Sequence, residues 1–270
     1  MSIQNSEDGR CINCGTDLTG DFCHSCGQKA LVKRISIKTF FEDYLSRLFG
    51  MDTNFLRTIK NLTLRPGIVG RTFIEGNRVK YIGPVGYFFL MITLVIILLS
   101  VFDINLKDFM GQAGESLAGI KENQLKEHNL QEWIMVKISS NFKTFRFFII
   151  VFLAIWSMML YRKDKLNLFE HSVNCFYILG HLNLLLFAQL VIYESFGILI
   201  TAPVILISSL YFGWSAVGFY RSGSKSARYF KGLLCYFISI ASFILFLFIV
   251  IIVFIWINKI FNPEFMDQFK

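Results

Sequence analysis

The sequence predicts an all-α bundle of about five membrane-spanning helices, preceded by a small cysteine-rich module. Hydrophobic residues make up 54% of the 270 positions, with 30 phenylalanines, and only 17% of residues are charged. A soluble domain of this length buries less apolar surface, so lipid must solvate part of the chain. Crossing about 30 Å of hydrocarbon takes about 20 apolar residues. Five stretches approach that length: 84–102, 145–161, 173–193, 198–220 and 233–257.

The module near the N-terminus contains two C-x-x-C pairs, formed by Cys11, Cys14, Cys23 and Cys26. Such spacing suits a tetrahedral zinc ion, and a glycine after each pair, Gly15 and Gly27, allows the positive φ that lets backbone N–H groups reach the sulfur atoms. We therefore expect a four-cysteine zinc ribbon (Zn²⁺) over 10–30, with a hairpin turning near Gly20. Two disulfides are the alternative if these residues face an oxidising compartment.

Other residues of the same types have simpler interpretations. His24 lies between two cysteines, but four thiolates already complete the zinc shell, so we expect a solvated side chain. Cys175 and Cys235 fall inside predicted spans, where a cysteine acts as a small buried apolar residue. The polar residues 1–9 are expected to be disordered.

The distribution of basic residues predicts the topology. Segment 1–80 holds 12 Lys/Arg against 8 Asp/Glu, and the loops 162–170 and 221–232 are basic, whereas 103–146 balances six basic with six acidic residues. The positive-inside rule then places the N-terminus in the cytoplasm and the C-terminus outside, in a bacterial inner membrane. Residues 1–30 contain no apolar signal-peptide core, so the first span must direct insertion. In the reducing cytoplasm the cysteines stay thiolates available to zinc.

The segment 31–83 is predicted to form cytosolic or interfacial amphipathic helices. Over 36–50, apolar residues recur with helical spacing while charged residues take the other face. This helix either lies on the inner leaflet or packs on the cytosolic end of the bundle. A second helix is expected from near Thr53 to the break at Arg65-Pro66, and a third from there to Glu75.

Four basic residues crowd the approach to the first span and could hold a lipid phosphate or another anion: Arg65, Arg71, Arg78 and Lys80. The alternative is a positive-inside anchor with pairing to Glu75. Beyond the first span, 103–144 is the sizeable extracytoplasmic segment, with one helix expected through 122–136. We expect no internal repeat.

The third span carries a polar stripe on one face, formed by Glu170, Asn174, Tyr177 and His181. Ionisable groups within a membrane are costly, so a proton relay or a polar cavity is one interpretation. Interhelical hydrogen bonding is the other, with four serines of the last two spans as expected partners: Ser208, Ser209, Ser239 and Ser242.

Catalytic chemistry is not expected. Histidines of an intramembrane metalloenzyme would converge, whereas His171 and His181 are ten residues apart and no other span supplies a histidine. Ser157, Ser195 and Ser215 stand in no nucleophile-elbow context.

Several segments together resemble an uncharacterised family of bacterial multi-pass membrane proteins with an N-terminal zinc ribbon. They are the CINC and FCHSCGQ knuckles, Leu64-Arg65-Pro66-Gly67, Glu75-Gly76-Asn77-Arg78, Tyr81, Pro84, Glu170-His171, and the later Tyr211, Ala216, Tyr220 and Lys231. The resemblance implies an inner-membrane protein with a ribbon and brings no activity. Relatives carry further histidines shortly after the Glu-His pair, where this chain has Tyr177 and Leu179.

Two functions fit these observations. In the first, the ribbon and the amphipathic helix dock a protein partner at the bilayer, since a closed shell of four thiolates leaves no position for catalysis. In the second, the chain is an oligomeric channel or transporter with the stripe of the third span lining the path. Homo-oligomerisation is open in both. Nucleic acid is not an expected partner, because the basic residues around the ribbon lack interleaved aromatic side chains.

Overall fold

The computed structural model describes residues 9–30, 54–104, 106–118, 134 and 136–261. Within these ranges the chain is helical after a cysteine-rich module, so the predicted all-α class is confirmed there. The helices are α1 (Asn54–Leu64), α2 (Pro66–Ile74), α3 (Pro84–Val101), α4 (Leu106–Ala118), α5 (Phe142–Leu160), α6 (Leu168–Phe196), α7 (Thr201–Phe219) and α8 (Lys225–Phe261). The predicted disordered tail at 1–8, the predicted helix over 36–50 and most of that over 122–136 lie outside the described residues.

Among the described residues, four helices are long and apolar enough to cross a membrane: α3, α6, α7 and the Lys225–Asn258 part of α8. They correspond to four of the five predicted spans. The other predicted span, 145–161, corresponds to α5, a helix of 19 residues whose Thr144–Leu160 portion is apolar.

Two spans are longer than the apolar stretches that predicted them. Helix α6 begins at Leu168 rather than 173, because Asn167 and Glu170 form a capping box: the Glu170 N–H donates to Asn167 Oδ1 at 2.9 Å and the Asn167 N–H to Glu170 Oε2 at 2.8 Å. Helix α8 begins at Lys225 rather than 233. Hydropathy alone stops at the first charged residues, whereas the backbone hydrogen bonds continue through them.

Helix α6 is the centre of the bundle. Every residue from Glu170 to Asn183 is buried, so this stretch is covered on all sides by α2, α3, α5 and α7. The largest fully buried side chains around it are aromatic: Tyr87, Tyr177, Tyr220, Phe88, Phe212 and Phe219. A helix buried all round must place its polar groups against other helices.

The short helix α2 is inserted between α6 and α7. It starts after Arg65, where Pro66 stands at the first helical position. Gly67 lies against the backbone of α7, with its Cα 3.1 Å from the position that a Cβ on Gly218 would occupy. Two glycines at this crossing let the backbones touch.

The apolar side chains of the second half of α8 point outward. From Ile244 to Phe261 most of them are exposed, including Phe248, Ile252 and Trp256. An exposed apolar row of this length requires an apolar solvent, in agreement with a membrane protein.

Helix α4 was not predicted as a separate element. It follows the end of α3, and Phe109 packs edge to face on Tyr193 of α6 with ring centroids 5.3 Å apart. Tyr193 also donates to Gln112 at 3.1 Å. These contacts hold α4 against the end of α6 that is opposite the cysteine module.

Candidate metal centre and the helices that carry it

The four cysteine sulfur atoms lie together, all within 4.8 Å of one another. The shortest separations join different C-x-x-C pairs: 3.5 Å from Cys11 Sγ to Cys26 Sγ and 3.5 Å from Cys14 Sγ to Cys23 Sγ. All four are free thiols rather than disulfides. Sulfur ligands of one tetrahedral ion, each about 2.3 Å from it, stand about 3.8 Å apart. The donor set therefore fits a metal ion, and among the described residues no other such cluster of His, Cys, Asp and Glu is found.

Each pair of cysteines is held in its own tight turn. The Gly15 N–H donates to the Cys11 carbonyl and the Gly27 N–H to the Cys23 carbonyl, both at 2.8 Å, with φ of 76° and 71° at the two glycines. Only glycine adopts such angles without strain. Isolated bridges then close each turn, Arg10 with Asp17 and Phe22 with Lys29.

These bridges correct the predicted hairpin near Gly20. The pairing partners lie on either side of each C-x-x-C, so the module is two successive knuckles and not one hairpin between them. The knuckles also repeat: the Cys11 N–H donates to the Thr16 carbonyl at 2.8 Å, and the Cys23 N–H donates to that of Gln28 at 2.7 Å. The two knuckles therefore share one local hydrogen-bond pattern. The recurrence of C-x-x-C-G was the signal.

Cys14 has a local reason to be a thiolate. The Thr16 hydroxyl lies 3.2 Å from its sulfur. This contact, together with a backbone hydrogen bond from Thr16, lowers the pKa of Cys14 to about 6. The thiolate is the form that binds a metal ion, so the knuckle favours ligation near neutral pH.

The module is seated on the turn between α2 and α3. The Gln28 side chain is buried and donates through Nε2 to the Gly76 carbonyl at 3.0 Å. The Asn77 side chain donates to Asn13 Oδ1 at 3.1 Å. Asn13 lies inside the first C-x-x-C and Gln28 follows the second, but nothing in their spacing predicts this contact.

The remainder of the module surface is open. Phe22, directly before Cys23, is 56% exposed, and Lys29 Nζ stands 6.0 Å from its ring centroid. His24 is also exposed and is not part of the sulfur cluster, as expected from the complete set of thiolates. An exposed aromatic side chain on a small polar module is typical of a contact surface.

The four basic residues predicted to hold an anion do not act as one group. Arg71 Nε donates to Glu75 Oε1 at 2.6 Å, and Arg221 Nη2 lies 3.6 Å from the same oxygen. Arg78 is buried, with its guanidinium carbon 5.7 Å from the Phe73 ring centroid. Arg71 and Arg78 therefore contact residues of α2 and of its C-terminal end.

Arg65 and Lys80 are placed differently. Arg65, at the break between α1 and α2, is exposed. Lys80 Nζ lies 5.6 Å from the ring centroid of Tyr81. Neither forms an ion pair with a carboxylate of the described residues.

The polar stripe of α6 is turned toward neighbouring helices. Glu170 caps the start of α6, as described above. Asn174 accepts a hydrogen bond from Ser215 of α7 at 2.9 Å, and Tyr177 donates to the Ile82 carbonyl at 2.6 Å. The expected serine partners are wrong, since all four hydroxyls donate to carbonyls of their own helix. Ser242 also accepts a hydrogen bond from Trp156 Nε1.

His181 joins three helices. Its Nδ1 lies 2.8 Å from the Tyr87 hydroxyl of α3, and its Nε2 lies 3.2 Å from the Thr63 hydroxyl of α1. Tyr211 of α7 stacks on the ring, with centroids 5.6 Å apart. The hydroxyl of Tyr211 in turn donates to the Leu62 carbonyl at 2.9 Å.

A second polar layer at the start of α6 was not predicted. His171 Nδ1 lies 2.9 Å from the Tyr220 hydroxyl, and Tyr220 stacks on Tyr161 with centroids 3.6 Å apart. Tyr161 donates to the Arg228 carbonyl at 2.6 Å, and Arg228 donates back to the Tyr220 carbonyl. The two histidines thus serve separate layers, each paired with a tyrosine.

Comparison with known proteins finds a similarity over one segment, which connects the cysteine module to the helix bundle. A model of a family described as a protein of unknown function (DUF3667) matches residues 52–96, less than half of the chain. No curated protein and no solved structure gives a significant match. The matched residues run through α1, α2, the turn that carries the module, and most of α3. This segment is therefore where the chain is similar to the DUF3667 family.

Proposed function

We propose that the chain is a non-enzymatic integral protein of the bacterial inner membrane that docks a protein partner through its N-terminal module. The module is a zinc ribbon on the cytosolic side, and the amphipathic segment after it extends the docking surface. In this role the protein acts as a scaffold or a regulator. The observation that supports this proposal is how the module is attached to the helices. Gln28 and Asn13 form hydrogen bonds with the α2–α3 turn, while the Phe22 side chain is exposed.

Zinc is the proposed ion because the donor set consists of four thiolates. Soft sulfur ligands in a closed tetrahedral shell are typical of structural zinc. A module of about twenty residues has too little core to fold without such a staple. The docking surface would then exist only when the ion is bound.

The cytosolic orientation is supported by charge. The loops before α6 and before α8 are basic, with Lys163 in the first and Arg221 in the second. With α5 crossing as one of the five predicted spans, chain order puts these loops on the same side as the α2–α3 turn that carries the module. Thiolates persist in the reducing cytoplasm, which suits the ligand set.

Transport along α6 has less support. The side chains of Tyr177 and His181 form hydrogen bonds to groups outside α6, and the side-chain oxygen of Asn174 accepts one from Ser215. Hydrogen bonds of this kind hold a bundle together. A conducting path would need these groups turned to an open passage.

The test is affinity purification in mild detergent with quantitative mass spectrometry. Wild type is compared with Cys11→Ser/Cys14→Ser, which removes the ion, and with Phe22→Ala, which removes the exposed ring and leaves the ligands in place. Thr19→Ala is the matched control on the same module, since Thr19 is exposed and is neither one of the four cysteine ligands nor one of the two residues bonded to the α2–α3 turn. Zinc content per chain is measured in every preparation.

The proposal expects one set of partners to be retained by wild type and Thr19→Ala and lost from the other two variants. Phe22→Ala must still carry zinc, which separates loss of the contact from loss of the fold. Identical partner sets in all four preparations would reject docking. Solute flux through reconstituted wild type, abolished by His181→Ala, would favour the transporter instead.

A further inference from the structure

Helix α1 has two faces of different chemistry. One is packed on the bundle through Phe55, Thr58, Ile59 and Leu62. The opposite face carries Leu56, Lys60 and Leu64 at positions i, i+4 and i+8. The two leucines are 73% and 59% exposed, respectively. Large apolar side chains this open, with a lysine between them, require an explanation beyond packing.

Four cations lie on and beside that face: Arg57, Lys60, Arg65 and Lys80. We call this set the basic face. Among the described residues none of them forms an ion pair, and the side-chain contact of Arg57 is to neutral Asn54 at 3.5 Å. Burial raises the pKa of Tyr81, while the charges of Arg57 and Arg65 both act to lower it. Both guanidinium groups therefore lie within electrostatic reach of one hydroxyl.

The basic face lies where the first candidate span begins. Thr58 of α1 accepts a hydrogen bond from the Ile82 N–H at 3.1 Å. Ile82 stands two residues before Pro84, the first residue of α3. Lys80 lies in the same short approach. An apolar helix such as α3 leaves the headgroup region at its first turns, so α1 lies at the level of the lipid headgroups.

We propose that the basic face binds the phosphate groups of anionic phospholipids, with Leu56 and Leu64 inserted among the acyl chains. Guanidinium and ammonium groups form charge-assisted hydrogen bonds with phosphate oxygens. Each lysine or arginine near an anionic bilayer surface contributes a factor of about five in affinity. Cations next to exposed leucines on one helix are typical of a helix that lies at the membrane interface.

A lipid fits better than the other anions that four cations would attract. Free phosphate has no apolar group that could contact the two exposed leucine side chains. An acidic protein would have to approach α1 at the depth where α3 enters hydrocarbon. The lipid headgroup alone supplies phosphate and acyl chain side by side at that depth.

The experiment uses the full chain in nanodiscs of equimolar phosphatidylcholine and phosphatidylglycerol, followed by native mass spectrometry of retained lipid. Arg57→Gln/Arg65→Gln/Lys80→Gln removes three charges from the basic face. Arg162→Gln/Lys163→Gln/Lys225→Gln is the matched control, because it removes three exposed charges from the same end of the bundle. Thermal unfolding checks that both variants fold.

Wild type should retain phosphatidylglycerol over phosphatidylcholine. The basic-face variant should lose at least ten-fold of that preference, while the control keeps it. Equal loss in both variants, or no preference in wild type, would overturn the proposal. Displacement of phosphatidylglycerol by excess inorganic phosphate would assign the site to a free anion and overturn it too. Leu56→Ser/Leu64→Ser should lower retention of both lipids, and unchanged retention would refute insertion.

Discussion

Replacing Gly67 by alanine tests the contact that holds α2 in the bundle. A Cβ built on Gly67 would stand 2.0 Å from the Ser215 carbonyl oxygen and 2.5 Å from the Phe219 nitrogen, both of them backbone atoms of α7. Backbone cannot rotate away as a flexible side chain can. Reaching the 3.4 Å of an ordinary contact would require α2 and α7 to separate by about 1.4 Å.

The cost can be estimated from the groups that this separation disturbs. Overpacking of a tight core costs about 1–3 kcal/mol. Ser215, whose carbonyl is struck, also donates its hydroxyl to buried Asn174 at 2.9 Å. Weakening that hydrogen bond adds about 1 kcal/mol. We expect Gly67→Ala to lower the free energy of unfolding by about 2–4 kcal/mol.

The assay is equilibrium unfolding in mixed micelles of mild detergent and dodecyl sulfate, followed by circular dichroism. Gly86→Ala is the control, because its Cβ would meet only Ile82 Cγ2 at 3.8 Å. An alanine inside α3 should be neutral or stabilise by up to about 1 kcal/mol through helix propensity. If Gly67→Ala unfolds at the wild-type midpoint, α2 does not lie on α7 as described.

Three further predictions concern the metal, the buried histidine and the thiols. Cys23→Ser should reduce zinc from one ion per chain to none, measured by plasma mass spectrometry, because three ligands do not close the shell. Tyr87→Phe should lower the free energy of unfolding by about 1–3 kcal/mol in the same micelle assay, because His181 Nδ1 loses its partner at 2.8 Å in a buried site; a wild-type value would mean that this bond carries no stability. After chelation, a maleimide should label Cys14, which is exposed, but not Cys175, which is fully buried; peptide mapping reads both sites, and early labelling of Cys175 would contradict the packing of α6.

Local features of the sequence were the reliable ones. The C-x-x-C-G repeats predicted the sulfur cluster because each knuckle is built from bonds within a few residues. The apolar runs predicted the positions of α3, α6, α7 and α8 because a helix in lipid needs length and hydropathy alone. The apolar run at 145–161 likewise predicted the position of α5.

Partners across the bundle were beyond such reasoning. The helical wheel placed Asn174 and His181 on one face of α6, which is a property of α6 alone. Which serine or tyrosine meets them depends on the rotation and depth of α3 and α7. The rotation and depth are set by close contacts such as that of Gly67 with Gly218, where neither residue has a side chain to keep the backbones apart. A single glycine in a sequence gives no sign of the helix it touches.

The position of the module connects the two parts of the protein physically. Gln28 is bonded to the Gly76 carbonyl, and Gly76 directly follows Glu75, the residue that ends α2 and pairs with Arg71. If the ion were lost, the knuckles would open and the Gly76 carbonyl would lose a buried donor, a cost of about 1 kcal/mol at the end of α2. Helix α2 is the element that bears on both α6 and α7. An ion bound to the four cysteines would therefore stabilise the centre of the bundle as well as the proposed docking surface, although it would lie outside the predicted membrane spans.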